Sequence, residues 1–402
     1  MKLIYKRVSR KVLDMNRLAI VTTHPIQYNA PLFQLLTKSG EIKVKVFYTW
    51  GESVLNSKYD PGFNKSIVWD IPLLEGYSYE FLKNVAKVKG SHHYNGINNP
   101  DIIKKITQWQ PDAILVYGWK FKSHLHVLQK FKNKIPIWFR GDSTMLDKKP
   151  NLKSFFKSIL LKWVYKHIDI AFYTGTNNKV YFKKNGLKES QLVAAYHAVD
   201  NERFENKGFR YTEVASNWRS KLNIQSSDIV FLYAGKLIPT KDLDTLIKAY
   251  STINKSNVHL VIVGNGPQEA SLKKSFAEVS NLHFLDFQNQ QIMPGIYQMC
   301  DVFVLPSTGE TWGLSINEAM AAGKAILVSN QCGGAIDLVE NNQNGYIFEA
   351  GDVNDLAHKM LMLSHSENNL KLMHLNSLHR IQKFTFSSFV SAIESTFNKS
   401  NV

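Results

Sequence analysis

The sequence predicts an α/β fold with two domains, each built on a doubly wound parallel sheet. The first observation is length, because 402 residues exceed one ordinary core and suit two domains of about 200 residues each. Short apolar runs alternate with helical patterns in both halves, which is typical of parallel sheets covered by helices. A polar stretch, residues 201–227, separates the two series. We therefore assign residues 1–205 to an N-terminal domain and 206–385 to a C-terminal domain, and we expect a final helix at 386–402 to pack back toward the first domain.

Six apolar runs predict the strands of the N-terminal domain. They lie at residues 17–22, 44–48, 113–117, 135–139, 168–173 and 192–196. Distinctive loops follow these runs at residues 23–28, 118–119, 140–143 and 174–176 and at His197. Ligands of such sheets bind beyond the carboxyl ends of the strands, so we expect these loops to line one crevice.

Six further runs predict the strands of the C-terminal domain. They lie at residues 229–235, 259–264, 282–286, 302–306, 325–329 and 345–348, and helical segments separate them. Residues 386–397 have the pattern of an amphipathic helix.

Composition restricts the classes of partner and the compartment. The formal net charge is +16, which favours phosphate-bearing partners such as nucleic acids, anionic membranes or nucleotide-linked metabolites. Only two cysteines are present, which argues against a disulfide framework and suits a reducing compartment. No stretch approaches the roughly 20 apolar residues that span a bilayer. We therefore expect a cytoplasmic protein, soluble or peripheral on the inner face of the cell membrane.

Residues 153–167 have helical periodicity and combine apolar with basic side chains. The apolar members are Phe156, Ile159, Leu160, Trp163 and Val164, and lysines occupy positions 153, 157, 162 and 166. Such a helix can lie on an anionic membrane surface. The alternative is an ordinary core-facing helix with a solvated lysine face.

Four loops of the C-terminal domain carry the candidate ligand-binding residues, and each follows a predicted strand. Gly235, Lys236 and Lys241 follow the first strand and bring two cations five residues apart. Gly264 and Gly266 follow the second, where glycine permits close backbone approach. A glycine turn at residues 332–335 follows the fifth strand. Taken singly these are weak indications, because the lysines can be surface residues and the glycines a plain turn.

The fourth loop, residues 310–318, places two carboxylates around a glycine turn that opens a helix. Glu310 lies at the carboxyl end of a strand, and Glu318 lies inside the following helix. The first amides of that helix, at Gly313, Leu314 and Ser315, lack intrahelical partners and suit an anionic group such as a phosphate. The alternative is a helix cap at Glu310 and a solvated charge at Glu318.

The order and spacing of these elements resemble retaining glycosyltransferases of family 4, which have the two-Rossmann-domain GT-B architecture. The resemblance covers residues 235–352 and is strongest in the Pro-Ser pair at 306–307 and in the stretch from Glu310 to the small-residue helix end at Gly323. Glycines at 333, 334, 345 and 351 follow in the expected succession. In the first half, only the strand rhythm and the His-Pro-Ile-Gln-Tyr sequence at 24–28 match, and the latter resembles a bacterial subgroup.

The resemblance implies a role for each matching residue. Lys236 and Lys241 would bind the diphosphate of a nucleotide-sugar donor, and Glu310 would face the transferred sugar. Glu318 would accept hydrogen bonds from the ribose hydroxyls. The amides of residues 313–315 would meet the distal phosphate.

The resemblance also implies transfer with retention onto a glycan or lipid-linked acceptor, without a covalent nucleophile, a cofactor or a metal ion. Three positions depart from the family pattern. Asp242 replaces a glycine, Trp312 stands where a Gly-Phe pair is common, and Asp337 replaces a glutamate. These departures concern the identity of the donor.

Candidates for contact with the acceptor lie in the N-terminal domain. His24 is the residue we expect nearest the sugar or acceptor, the alternative being a structural histidine in a turn. Trp119, Arg140 and Asp142 are further cleft candidates. His124 follows the Gly-Trp loop, where related enzymes place a catalytic histidine, although its position favours a helix, and the same holds for His126.

Three other functions would each explain part of the sequence. A sugar-nucleotide 2-epimerase would share the fold but needs acid/base carboxylates in both domains, and the first half offers few. A non-enzymatic nucleic-acid-binding protein would use the positive charge, but the lysines are scattered rather than clustered among aromatic residues, so we expect no nucleic-acid partner. A nicotinamide dehydrogenase would need the six-residue glycine fingerprint, which the chain lacks.

Overall fold

The computed structural model describes residues 15–52, 58–146, 152–253, 255–365 and 367–400. Two parallel sheets dominate it, one in each half of the chain. The predicted α/β class with two parallel sheets is therefore confirmed.

The N-terminal sheet has seven parallel strands in the order β5-β2-β1-β6-β7-β8-β9. The strands are β1 Asn16–Thr22, β2 Ile42–Tyr48, β5 Ser78–Phe81, β6 Ala113–Tyr117, β7 Ile137–Arg140, β8 Ile170–Tyr173 and β9 Leu192–Ala194. All six predicted strands are present, with ends that differ by no more than two residues. The seventh, β5, was not predicted, because its sequence Ser-Tyr-Glu-Phe lies half-exposed at the sheet edge and carries no apolar run.

This sheet is buried on both faces, which explains its continuous apolar runs. Successive residues of a strand point to opposite faces. In β1, Leu18 and Ile20 join one buried cluster whereas Ala19 and Val21 join the other. Helices of this domain span Ala30–Lys38, Ile102–Trp109, Lys122–Phe131, Leu152–Tyr165 and Thr176–Lys184.

A short antiparallel hairpin lies outside this sheet. Its strands are β3 Lys58–Asp60 and β4 Lys65–Ile67. The sequence analysis did not predict it, because two three-residue strands are shorter than any detectable period. We call residues 58–75, which include the hairpin and the chain that follows, the strap.

The C-terminal sheet has six parallel strands in the order β12-β11-β10-β13-β14-β15. They are β10 Ile229–Ala234, β11 Val258–Val263, β12 Leu282–Leu285, β13 Val302–Leu305, β14 Ala325–Ser329 and β15 Gly345–Phe348. Each predicted strand is present within one residue at both ends. Helices of this half span Asn201–Phe204, Thr212–Lys221, Leu243–Ser251, Glu269–Ser275, Met293–Met299, Leu314–Ala321, Ala335–Leu338, Val353–Leu363 and Glu367–Ile381.

The last helix, Phe386–Ser400, packs against the N-terminal domain. Phe389, Ile393 and Phe397 are buried in one of that domain's clusters. The ring of Phe397 lies 4.5 Å from that of Trp138 on β7. The chain therefore crosses between the domains twice, and its end covers one face of the first sheet.

The two domains meet closely beside the helix Thr176–Lys184. A Cβ atom on Gly175 would lie 2.2 Å from the Trp312 ring, so only glycine permits this approach. The Thr176 backbone amide and hydroxyl donate to the Asp337 carboxylate at 2.9 and 2.6 Å. Asp337, where the sequence departs from the family pattern, is thus an interdomain contact.

The helix Leu152–Tyr165 packs one face on the core but leaves a second apolar face exposed. Its large apolar residues Phe155, Phe156, Ile159, Leu160 and Trp163 are 42–65% exposed. Leu161, Val164 and Tyr165 on the other face are buried. Among the residues described, no helix has both the length and the apolar character needed to cross a bilayer.

Candidate active site

A lysine and a carboxylate meet where strands β10 and β13 end. Lys241 closes the single-turn helix Pro239–Lys241 after β10, and Glu310 lies in the loop after β13. The ammonium of Lys241 donates to the Glu310 carboxylate, and both side chains are largely covered. Because parallel strands end at the same sheet edge, residues 69 positions apart come into contact.

A second lysine in the same region is paired across the domain boundary. Nζ of Lys236 lies 3.0 and 2.9 Å from the two carboxylate oxygens of Asp60 in the strap. Burial acts to raise the pKa of Asp60, but the hydrogen bonds and charge of Lys236, with the amides of Gly62 and Phe63, outweigh burial and hold the pKa below its usual value. Both candidate phosphate-binding cations are therefore neutralised by carboxylates in this structure.

Glu318 is buried at the bottom of the interdomain cleft, with 4% of its surface exposed. Its carboxylate accepts hydrogen bonds from the hydroxyls of Tyr28 at 3.1 Å and Tyr297 at 2.8 Å. Burial raises the pKa of Glu318, although the two tyrosines and the charge of Arg203 act in the opposite direction. Glu318 is thus not a solvated surface charge. Tyr28 comes from the loop after β1, so both domains contribute to this group.

A cavity of about 280 Å³ is lined by the Lys236–Asp60 pair and by Glu318 with its two tyrosines, and we call it the cleft cavity. Lys241 and Glu310 do not belong to its lining. Its C-terminal wall includes Gly235, Lys236, Gly264, Ser315 and Glu318. Its N-terminal wall consists of Gln27, Tyr28, Asp60, Phe63 and Trp69. The strap therefore closes the cavity from the side opposite the predicted binding loops.

The loop after β13 presents a helix N-terminus near this cavity. Gly313 has φ of +95°, a left-handed conformation that glycine adopts readily, and the helix Leu314–Ala321 begins directly after it. Among the described residues, no acceptor reaches the backbone amides of Leu314 and Ser315. Trp312 is buried and donates from Nε1 to Asn317 at 2.8 Å, which holds the turn against the helix.

The glycines after β11 serve contact between neighbouring loops. A Cβ atom on Gly264 would lie 1.9 Å from the carbonyl oxygen of Gly235, and one on Gly266 would lie 2.4 Å from that of Leu237. These glycines allow the loops after β10 and β11 to touch. Gly264 also lines the cleft cavity, whereas Gly266 does not belong to its lining.

A larger cavity of about 570 Å³ lies in the N-terminal domain beside the cleft cavity, and we call it the N-terminal cavity. Its walls are the loop after β1, Ser91 and much of the strap. His24 lines it, accompanied by a Thr23 hydroxyl 2.8 Å from Nδ1 and by the Trp50 ring at 5.2 Å. The two cavities share Gln27, Asp60 and Trp69.

Two of the predicted cleft residues lie inside the N-terminal domain. His124 is fully buried, and its ring nitrogens face the Thr49 hydroxyl and the carbonyls of residues 117 and 118. Burial lowers the pKa of His124 to about 4. Arg140 donates to the Ala195 carbonyl and stacks over a ring of the last helix. Neither lines the cleft or N-terminal cavity, because both are used to hold the domain together.

Trp119 and Asp142 line a third cavity of about 470 Å³ near the exposed helix Leu152–Tyr165, which contributes Lys157 to it. Asp142 also accepts a hydrogen bond from the Thr311 hydroxyl at 3.3 Å, next to Glu310. Asp142 therefore reaches the boundary with the C-terminal domain. His126 lies on the helix Lys122–Phe131 and is exposed.

Three residues of this site carry no sequence signal that reveals their contacts. Tyr28 and Tyr297 were not assigned because a tyrosine carries no motif by itself, although Tyr28 belongs to the loop that the analysis singled out. Asp60 lies in a segment without periodicity, and nothing in the sequence indicates that it pairs with Lys236, 176 residues away. Within the described ranges, no group of three or more His, Cys, Asp or Glu residues could hold a metal ion.

Residues 214–380 match a family model described as "Glycosyl transferases group 1". An uncharacterized glycosyltransferase, MJ1607, of Methanocaldococcus jannaschii is 32% identical over 133 residues, which cover 32% of this chain and 34% of that protein. The N,N'-diacetylbacillosaminyl-diphospho-undecaprenol alpha-1,3-N-acetylgalactosaminyltransferase of Campylobacter jejuni is 28% identical over 222 residues, which cover 54% of this chain and 57% of that protein. The chain thus matches less than two thirds of the length of either relative.

The whole chain is similar in structure to Anabaena Alr3699/HepE in complex with UDP. The TM-score is 0.71 at 17% sequence identity, covering 96% of this chain and all of that one. At this identity the likeness concerns the fold. The chain therefore has the GT-B fold, with two parallel-sheet domains that face a central cleft.

Substitution of Glu318 by glutamine tests the buried carboxylate. Because the native pKa is raised, the native state keeps its proton to higher pH than the unfolded chain, so ionisation of Glu318 destabilises the fold. This loss of folding stability is absent below the ordinary glutamate pKa of about 4.3. It is complete above the raised pKa that Glu318 has in the native state. We expect Glu318→Gln to raise the melting temperature at pH 7.5, with the gain vanishing near pH 4, as measured by scanning calorimetry.

Glu269→Gln is the matched control, for which we expect a change in melting temperature of the opposite sign. Burial acts to raise the pKa of Glu269, but hydrogen bonds from Asn265 and Lys273 prevail and lower it. This variant should therefore lose stability at pH 7.5. A lower melting temperature for Glu318→Gln at that pH would contradict the interpretation of Glu318 as a destabilising charge.

Proposed function

We propose that the protein is a glycosyltransferase that moves a sugar from a nucleotide-sugar donor, with retention, to a hydroxyl of a polysaccharide, lipopolysaccharide or lipid-linked acceptor. The observation that carries the proposal is the cleft itself. Lys236 and Glu318 line the cleft cavity, and the N-terminal domain closes it from the other side. The Lys241–Glu310 pair joins the loops that follow β10 and β13 at the same sheet edge.

The comparisons support this proposal. The match to the group 1 glycosyltransferase model spans residues 214–380, which include all four of these residues. The structurally similar Anabaena protein holds UDP, and the Campylobacter jejuni relative is named for a diphospho-undecaprenol substrate. None of the relatives reported above is an epimerase or a nucleic-acid-binding protein.

The donor would bind in the cleft cavity with its diphosphate toward the lysines. Lys236 and Lys241 supply two positive charges, and the amides of Leu314 and Ser315 supply donors at a helix N-terminus. Glu318 would accept hydrogen bonds from the ribose hydroxyls in exchange for those from Tyr28 and Tyr297. This exchange keeps the buried carboxylate hydrogen-bonded both in the free protein and with the donor bound.

Reaction would break the bond between the anomeric carbon and the diphosphate oxygen and form a bond from the same carbon to the acceptor oxygen on the same face. The acceptor proton would pass to the departing phosphate oxygen. Lys236, Lys241 and the helix amides would stabilise the charge that grows on the leaving group. Glu310 would orient the sugar, and His24 would lie on the acceptor side.

The carboxylates that pair with the lysines have a further consequence for binding. Asp60 and Glu310 hold Lys236 and Lys241 in place before the donor arrives, which preserves two cations in a partly buried cleft. A diphosphate that enters must compete with Asp60 for Lys236. Closure by the strap would also exclude water and so limit donor hydrolysis.

The exposed helix Leu152–Tyr165 supports association with an anionic membrane surface. Five large apolar side chains lie in solvent together with Lys157, Lys162 and Lys166, which are also exposed. Apolar residues that insert at the interface and lysines that meet anionic head groups are the two components of such binding. We propose that this face brings the enzyme to a lipid-linked acceptor on the inner face of the cell membrane.

Kinetics of two variants test the assignment of the reaction centre. The donor is first found by thermal-shift screening of UDP-, GDP- and ADP-sugars, since a ligand at 100 times its Kd stabilises by about 2.7 kcal/mol. We expect Lys241→Ala and Glu310→Gln each to lower kcat about 100-fold or more, because each removes a group that acts at the reacting centre. Lys248→Ala, an exposed lysine on the helix Leu243–Ser251, is the control. An unchanged kcat in both test variants would refute the assignment.

Replacement of Asp60 by asparagine tests its competition with the donor. Without this carboxylate, Lys236 is free for phosphate, so we expect UDP and inorganic pyrophosphate to bind up to about fivefold more tightly, the range set by a partly exposed ion pair. Isothermal titration calorimetry measures the change. Asp70→Asn is the control, because Asp70 lies in the same strap and accepts from the Gln291 amide instead of a lysine. Weaker binding by Asp60→Asn would mean that Asp60 positions Lys236 for phosphate.

Vesicle sedimentation tests the membrane proposal. We expect binding to phosphatidylglycerol vesicles, little binding to phosphatidylcholine vesicles, and loss of binding in Phe156→Ala/Trp163→Ala. Leu372→Ala/Leu375→Ala removes two similarly exposed apolar residues from the helix Glu367–Ile381 and serves as the control. Equal binding of the native chain and the Phe156/Trp163 variant would exclude this helix as the membrane contact.

A further inference from the structure

The N-terminal cavity carries no cationic side chain among its described lining residues apart from what a protonated His24 would supply. Its acidic members are Asp60 and Glu75. This contrasts with the whole chain, whose formal net charge is +16. Among the described residues, none of the lysines and arginines that make the protein positive lines this cavity.

The absence of lysine and arginine at these walls determines which charges can enter. Asp60 is paired with Lys236 in the adjoining cleft, so its charge is already balanced. Glu75 is exposed at the wall. A carboxylate or phosphate that entered would lose hydration without gaining a cation and would meet Glu75 as a like charge. A neutral group meets neither penalty, whereas a cationic group loses hydration but is attracted by the charge of Glu75.

The remaining walls suit a sugar ring. Tyr59 and Trp69 supply aromatic faces, and Ile26, Ile67 and Leu73 supply aliphatic surface. The C–H face of a pyranose is apolar and fits such surfaces, whereas its hydroxyls need a few polar partners. Gln27 and Ser91 provide such partners in the same walls.

The position of the cavity connects it to the reaction. Gln27, Asp60 and Trp69 line both it and the cleft cavity, so a ring bound in one lies beside a donor bound in the other. His24 also lines the N-terminal cavity. A hydroxyl of a sugar held here could therefore reach the anomeric carbon of the donor.

We infer that the N-terminal cavity binds the acceptor sugar and selects a neutral or cationic pyranose against an anionic one. This inference rests on the proposed glycosyltransferase function and adds the chemical class of its acceptor. Any phosphate of a lipid-linked acceptor would lie outside the cavity. Uronic acids and phosphorylated sugars would be excluded as the residue that receives the transferred sugar.

Binding of matched methyl glycosides to the full chain tests this inference. The members of each series differ only at C6, for example methyl glucoside against methyl glucuronide and methyl galactoside against methyl galacturonide. Methyl 6-amino-6-deoxyglucoside is the cationic member of the glucose series. Saturation-transfer NMR and calorimetry in the presence of UDP give the affinities. We expect the neutral or cationic member of at least one series to bind about tenfold or more tightly than its uronide.

Three variants assign the selectivity to the cavity. Trp69→Ala should weaken the neutral glycoside about tenfold, because a stacking face is lost. Glu75→Lys should raise the affinity for the uronide relative to the neutral partner. Glu41→Lys, the same charge change at an exposed residue outside the cavity, should leave the ratio unchanged. Tyr59→Ala repeats the stacking test if Trp69→Ala lowers the melting temperature.

Uronides that bind as tightly as their neutral partners would overturn the inference, as would a native chain that binds no glycoside of either charge. An unchanged ratio in Glu75→Lys would also overturn it. Failure of the proposed function has a separate readout, since a chain that binds no nucleotide and turns over no donor would show it in the thermal-shift and kinetic measurements. The ratio of the neutral glycoside and uronide affinities is measured independently of the thermal-shift and kinetic experiments.

Discussion

The ion pair between Lys236 and Asp60 joins the two halves of the molecule at the point where its chemistry is expected. One partner follows the first strand of the C-terminal sheet and the other belongs to a hairpin of the N-terminal domain. The pair keeps a cation in a partly covered cleft at tolerable cost and brings the strap over the cleft cavity. Phe63 and Trp69 then reach Phe287 of the opposite domain, at ring distances of 5.1 and 6.2 Å. Asp60, Phe63 and Trp69 of the strap thereby form part of the wall of the cavity that the donor would occupy.

Buried polar groups of the cleft have a similar double role. Glu318 is held by one tyrosine from each domain, so its hydrogen bonds stabilise the closed arrangement while its charge works against the fold. A ligand that supplies hydroxyl donors can take the place of those tyrosines. The buried charge of Glu318 therefore lowers the folding stability but suits the site for ligand binding. Such a trade of stability against function is common at functional clefts.

Charge is distributed unevenly over the molecule, and that distribution separates the expected roles of its surfaces. Lysines accompany exposed apolar residues on the helix Leu152–Tyr165 and occupy the donor side of the cleft. The N-terminal cavity, one wall away, lacks lysine and arginine among its described lining residues. Net charge alone suggests anionic partners over the whole surface, whereas the described residues place lysines on the exposed helix Leu152–Tyr165 and beside the cleft cavity but not in the walls of the N-terminal cavity.

Much of the fold could be predicted from sequence because buried parallel strands are continuous apolar runs. All six strands of the C-terminal sheet and six of the seven in the N-terminal sheet follow this rule, whereas the edge strand Ser78–Phe81 and the hairpin have no such run. The proximity of Lys236, Lys241 and Glu310 was predictable because each lies in a loop that directly follows a strand, and such loops meet at one sheet edge. Glu318 lies in the helix that follows one of these loops. The contacts of Asp60, Tyr28 and Tyr297 could not be predicted, because their partners are distant in sequence and no local pattern indicates a contact between domains. The sequence by itself determined the two sheets and the loops at their ends. Only the tertiary structure decided which charges are paired, which carboxylate is buried and which cavity has no lysine or arginine among its described lining residues, since these depend on distances between segments that the chain order leaves open.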